Sequence, residues 1–250
     1  MSGHSKWHSI KHKKGAADSA RGKLFAKLIR QIEVAAREGG ADPDANPTLR
    51  TMVGKARDAS VPVDTIDRAI KRGTGQLEGV RYEQCTYEGY APNGVAVLVE
   101  CLTANRNRTG AEVKNVFTRL GGSLAEPGAV SWQFERKGVI VLEKAAASED
   151  DLMLAALDAG AEDIVDQGDT WQVTTGPADL HRVRDGLDAA GIPVTSADLL
   201  MLPTTTVPLT DEAGARSVLR VIDALEEQDD VQTVNANFDI PDDVLQAVMA

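Results

Sequence analysis

Apolar residues fall three and four apart through roughly the first 73 residues and then shift toward alternation, so the chain divides by periodicity alone. From Asp18 to Glu38 the positions Leu24, Phe25, Leu28, Ile29, Ile32, Ala35 and Ala36 line one helical face, and Gly39-Gly40 supplies the stop. A second helix is predicted where Asn46 can cap and Pro47 can take the first helical position, with Leu49, Met52, Val53 and Ala56 turned inward. A third runs from about Val63 to Arg72 with Ile66, Ala69 and Ile70 inward and Gly73 at its end. Residues 1 to 15 carry no such period and are expected to form an extended or partly ordered basic arm.

Beyond a linker at Gly73–Gly79 the β-branched and aromatic residues of strands appear. Tyr82–Tyr90 and Val95–Leu102 read as strands joined at Ala91-Pro92-Asn93-Gly94, followed by a helix from about Thr109 to Leu120 and a strand from Val130 to Glu135. Next comes a series of strand (Val139–Leu142), helix (Glu149–Asp158), strands (Asp163–Val165, Trp171–Thr174), helix (Ala178–Ala190) and strand (Val194–Leu202). Its βαββαβ order is ferredoxin-like. A helix from Asp211 to Glu227 and a strand from Val231 to Phe238 lack partners of their own and are expected to complete the earlier sheet; a short helix follows Pro241. The expected fold class is α+β in three domains, an N-terminal three-helix bundle followed by two ferredoxin-like α/β domains, one inserted in the other. The expected boundaries are 1–79 for the arm and bundle, 80–137 plus 205–250 for the split domain, and 138–204 for the insertion.

Charge adds a second division. The net −11 separates into 15 Lys and Arg against 8 Asp and Glu in residues 1–75, and 12 against 30 in residues 76–250. A polyanion is attracted to one end of such a molecule and repelled by the rest. No apolar run approaches the roughly 18 residues of a membrane span, and no apolar segment follows the basic first fifteen residues as a secretory signal requires, so no membrane association and a cytoplasmic location are expected. Cys85 and Cys101 are then expected as free thiols.

The arm supplies Lys6, Lys11, Lys13 and Lys14 for phosphates, Trp7 for stacking on a base, and His8 and His12 as hydrogen-bond donors, with Arg21 and Lys23 continuing the cationic run into the first helix. A solvated solubilising tail is the plainer alternative. His4, His8 and His12 are spaced four apart, but the surrounding lysines and the lack of acidic or thiolate ligands argue against a metal, and none is expected. The second candidate site is Asn105, Arg106, Asn107, Arg108 and Thr109, at a strand-to-helix junction where free N–H groups and the helix dipole favour an anion. Thr109 and Glu112 have capping-box spacing. Here the alternative is that the arginines pair with the body's own carboxylates, such as Glu100 or Glu112, while Asn105 only turns the chain. A weaker group, Arg68, Lys71 and Arg72, is explained by the negative end of the third helix.

Nucleotide-binding loops, nucleophile elbows, zinc-protease motifs and dinucleotide fingerprints are all missing, and His181 has no evident nucleophile beside it. The chain therefore reads as a non-enzyme, with no cofactor.

The residues Gly3–Trp7, Ile10–Lys14, Ile66–Gly73, Tyr87–Pro92, Asn105–Thr109, Gly121-Gly122, Trp132, Phe134, Lys137-Gly138 and Ala159–Asp163 together resemble the YebC family, whose mitochondrial relatives include a translational activator of cytochrome oxidase. One departure is Ala104, where the family pattern commonly carries an acid; its loss is expected to leave the arginines less tethered. The resemblance implies the same three-domain arrangement and a role in gene-expression control. Its members are described as DNA-binding transcriptional regulators, others as ribosome-associated factors that bind ribosomal or transfer RNA and assist translation through consecutive prolines. A third reading is a protein-interaction module acting through the acidic body. The expected partner is nucleic acid, either DNA or ribosomal RNA, with the ribosome as the second candidate.

Overall fold

The computed structural model describes residues 18–249. Three helices open it: α1 (Asp18–Gly39), α2 (Pro47–Asp58) and α3 (Val63–Gly73). Their inward stripes, Leu28, Ile32, Ala35, Leu49, Val53, Ala56, Ile66 and Ala69, form one buried cluster. Asn46 joins the first two helices. Its side-chain oxygen accepts from the N–H of Leu49 at 3.0 Å while its amide donates to the Ala35 carbonyl at 2.8 Å, so one residue caps α2 and reaches back to α1. Arg72 of α3 donates to the buried Glu33 of α1 at 2.6 Å, which accounts for that cation structurally.

Gly73 is where α3 meets α1 most closely. A Cβ there would lie under 3.0 Å from both the Glu33 carbonyl oxygen and the Ala36 methyl. Gly73→Ala is expected to destabilise the protein by about 1–3 kcal/mol through overpacking, read as a lower melting temperature.

The first sheet has the order β3-β1-β2-β9, from β1 (Glu83–Tyr90), β2 (Ala96–Thr103), β3 (Ser123–Ala125) and β9 (Val231–Ala236), with every neighbouring pair antiparallel. Two helices, α4 (Arg106–Arg119) and α7 (Glu212–Glu226), cover one face, where Val97, Val99, Val113, Phe117, Val218 and Ile222 are buried together. On the opposite face Ala96 and Leu98 pack against Val130 and Phe134. Covering on both faces explains why β2 reads as a near-continuous apolar run. Cys85 and Cys101 sit opposite each other in the β1–β2 register, free and buried, and burial pushes both thiols up from their ordinary range.

The second sheet, β5-β6-β4-β7, is built from β4 (Phe134–Glu143), β5 (Ala161–Asp166), β6 (Thr170–Thr175) and β7 (Ser196–Pro203), again antiparallel throughout. With α5 (Glu149–Asp158) and α6 (Leu180–Ala189) it has the ferredoxin-like strand order, and all its strands fall between β3 and β9 of the first sheet. The fold is therefore α+β, a helical bundle followed by two α/β units with antiparallel sheets, the second of them ferredoxin-like and inserted in the chain of the first. A two-stranded parallel pair, β8 (Val207–Pro208) and β10 (Phe238–Asp239), and a last helix, α8 (Asp242–Met249), complete it. Among the described residues no helix is long and apolar enough to cross a membrane.

Three expectations are corrected. The strands expected at Val130–Glu135 and Val139–Leu142 are one strand, β4, which belongs wholly to the second sheet, so that sheet begins at Phe134 rather than 138. The outer position of the first sheet is taken by β3 instead, because the chain turns at Gly121 and Gly122 and returns immediately against Tyr90. The cause at 130 is the carboxylate of Glu88, which accepts from the backbone N–H groups of Gly128 (2.7 Å), Val130 (2.6 Å) and Ser131 (2.9 Å) and so removes those donors from any ladder. Burial is the largest single influence on Glu88 and raises its pKa, yet these three donors together outweigh it and hold the group below the usual carboxylate range. Glu88→Gln should cost about 2 kcal/mol in urea unfolding at neutral pH. The cost should begin to shrink below the ordinary glutamate value of about 4.3 and vanish as the pH falls through the lower folded value, where the wild-type carboxyl is neutral like the amide. Third, the helix expected from Thr109 starts at Arg106, with Asn105 as its cap.

Candidate nucleic-acid interface

The Asn105–Thr109 segment lies between β2 and α4, and its geometry follows from the cap. The Asn105 side-chain oxygen accepts from the Arg108 N–H at 3.1 Å. Thr109 thus falls inside the helix rather than at a capping box, and its hydroxyl is free to turn back toward β2. Thr103, at the end of β2, accepts from the Asn105 N–H at 2.8 Å, and the Tyr87 hydroxyl donates to the Arg106 carbonyl at 2.9 Å. Burial, helped by neighbouring Cys85, pushes the Tyr87 phenol up to about 12, so it remains a donor throughout the physiological range.

Asp230, just before β9, organises the segment. Only 3% exposed, it accepts from the hydroxyls of Thr103 (3.1 Å) and Thr109 (2.8 Å) and from Arg108 Nη2 (2.6 Å). Its other oxygen accepts from Arg30 Nη1 of α1 at 3.2 Å. Burial taken alone would raise its pKa and is the largest influence; the Arg108, Thr109 and Thr103 hydrogen bonds and the Arg108 charge prevail and hold it below the usual range. The hydrogen bond to Asp230 in turn raises the pKa of Arg108. Arg108 is therefore tethered despite Ala104. Its carboxylate partner is Asp230, 122 positions away, while Glu112 stands at 3.9 Å and Glu100 accepts from Thr233 instead. Arg106 and Asn107 are exposed, and among the described residues neither side chain has an ion-pair or hydrogen-bond partner.

The same turn receives the basic face of α1. Lys23 Nζ donates to the Glu227 carbonyl at 3.2 Å, Lys27 Nζ to the Glu226 carbonyl at 2.8 Å, and Arg30 to the Asp229 carbonyl. These carbonyls close the C-terminal end of α7, where cations complement the dipole. Arg30 also lies 5.6 Å from the centre of the Tyr82 ring. A cleft of about 330 Å³ lined by Gly22, Lys23, Ala26, Lys27, Arg30 and Asp229 runs beside the contact. Two of the sequence-predicted elements, Lys23 and the Asn105–Thr109 segment, are thus brought to one turn of chain, Glu226–Asp230. Lys6, Trp7, His8, Lys11, His12, Lys13 and Lys14, together with the side chain of Arg21, lie outside the described residues. His181 contacts the bundle, with its Nε2 3.1 Å from the Thr51 hydroxyl.

Asp230, Thr103 and Tyr87 were not singled out as site residues by the sequence. Asp230 could not have been, since one Asp among the acids following α7 carries no local signature. Thr103 was in reach, because a Thr ending a strand two residues before a helix cap is a common backbone anchor.

Two family models match the chain: one described as the TACO1/YebC protein N-terminal domain over residues 5–76, the other as the TACO1/YebC second and third domain over residues 82–238. A probable transcriptional regulatory protein of Acidothermus cellulolyticus is 57% identical over 99% of this chain and 100% of its own length. One from Mycolicibacterium smegmatis is 56% identical over 98% and 97%. Among solved structures, a crystal structure of a conserved hypothetical protein from Aquifex aeolicus aligns with a TM-score of 0.83 at 48% identity, covering 92% of this chain and 94% of that one.

Proposed function

The chain belongs to the TACO1/YebC family, and from that premise we propose that it is a non-enzymatic regulator of gene expression that binds nucleic acid through its basic N-terminal end and the Asn105–Thr109 segment, with DNA as its target. The names of its relatives, probable transcriptional regulatory proteins, support the regulatory part. The observation that carries the binding part is the meeting of Arg30 and Arg108 on the single Asp230 carboxylate. It joins the basic helix and the segment into one edge, on which Arg106 and Asn107 are exposed at the N-terminal end of α4. The arm residues, Lys6 to Lys14 with Trp7, precede α1 in the sequence and add their cations to the same basic N-terminal end.

A second reading, a factor that binds ribosomal RNA on the ribosome, is favoured by the charge division. An acidic body of 30 Asp and Glu against 12 Lys and Arg in residues 76–250 suits entry of one slim basic end into structured RNA better than broad contact with a duplex. Binding of the full-length protein to duplex DNA and to ribosomes at physiological salt separates the two. A preference of about a thousandfold for particular duplex sites upholds the DNA reading. Co-sedimentation with ribosomes and no preferred duplex overturns it in favour of the second.

A further inference from the structure

Helix α5 buries Leu152 and Ala156 against the second sheet and turns Met153, Leu154 and Leu157 outward, at 43%, 68% and 48% exposure. At 100° per residue these three share one side of the helix, and the exposed Asp150, Asp151 and Asp158 border them. Capping explains the acids at the helix start, since the Ser148 hydroxyl accepts from the Asp151 N–H at 3.2 Å, but capping gives no reason for three large apolar side chains in water. The whole unit is acidic: residues 134–203 hold 14 Asp and Glu against five Lys and Arg.

We propose that this face of α5 docks a basic, amphipathic protein segment, whose apolar side chains seat on Met153, Leu154 and Leu157 while its Lys and Arg pair with Asp150, Asp151 and Asp158. Charge selects the occupant. A nucleic acid is repelled by the surrounding carboxylates. A second copy of the chain, related by a two-fold axis, would bring like-charged rims together. A basic segment satisfies both the apolar centre and the acidic rim, the arrangement in which an amphipathic helix is read by anchors one turn apart.

The test uses the full-length protein and two labelled 18-residue peptides followed by fluorescence anisotropy. One has Leu at positions one helical turn apart and Lys elsewhere; in the other every Lys is Glu. The variant is Met153→Ser/Leu154→Ser/Leu157→Ser, which changes only exposed positions and retains every acid, so non-specific attraction is the same for both proteins. The Lys peptide is expected to bind wild type at least tenfold more tightly than the variant, and the Glu peptide to bind neither. Equal affinity for wild type and variant, or equal binding of the two peptides, overturns the proposal. So does a wild-type dimer in sedimentation that the variant lacks, which assigns the face to a second copy. A gain in peptide affinity when residues 1–15 are removed assigns it to the chain's own arm and likewise overturns it.

Discussion

Replacing Lys6, Lys11, Lys13 and Lys14 together by alanine is expected to weaken binding to every nucleic-acid sequence alike, by about two orders of magnitude or more at 0.15 M salt. The reason is counterion release. Each neutralised phosphate contributes about 0.7 to 0.9 to the log–log salt slope, so removing four cations should flatten it by about 3 units. Between 50 and 200 mM salt the loss of affinity should therefore shrink by roughly fifty- to 150-fold. A salt series in fluorescence anisotropy reads slope and affinity together. A variant with unchanged slope would show that the arm makes no phosphate contacts, and the proposed binding mode would fall with it. Cation placement rather than sequence reading is what this variant probes, so the ratio between specific and non-specific sites should stay constant.

Asp230→Asn is expected to move stability and binding in opposite directions. Stability should fall by about 2–3 kcal/mol in denaturant unfolding, since charge-assisted hydrogen bonds from Arg30 and Arg108 and the anchors of Thr103 and Thr109 all converge on the carboxylate. Nucleic-acid binding should gain about one to two units of salt slope, because two guanidinium groups beside the proposed contact lose their internal counter-charge. A merely structural role for Asp230 would lower stability and leave the slope alone. The pH dependence has a definite sign. The folded pKa lies below the unfolded value of about 3.9, so the stabilisation is complete above about pH 4 and is lost as the pH falls through the folded value. The variant should therefore be less stable than wild type at neutral pH, and the two should converge in acid.

Much of the fold was readable in short windows of sequence. Asn46-Pro47 announced the start of α2 and Gly73 the end of α3, because caps and stops depend on backbone groups a few residues away. The ferredoxin-like order of the second sheet was readable for a similar reason, since its hairpin and its two helices lie close in the chain. The misassigned Val130–Glu135 shows where such windows fail. Its apolar residues suit a strand, but Glu88, some 40 positions earlier, captures the N–H groups that a strand there would use. The Asn105–Thr109 segment was recognisable as a strand-to-helix junction, whereas the partner of Arg108 was not.

The sequence by itself determined the helical and strand periods, the segregation of positive charge to one end, and the residue types available to meet a phosphate. These are properties of composition and neighbouring spacing, and they survive without knowledge of the fold. Only the tertiary structure decided which cations are held by the protein and which face solvent. That choice depends on Asp230 meeting residues from α1, β2 and α4 at once, and a carboxylate acquires such partners only when packing of the helical bundle against the first sheet brings distant segments within hydrogen-bond reach.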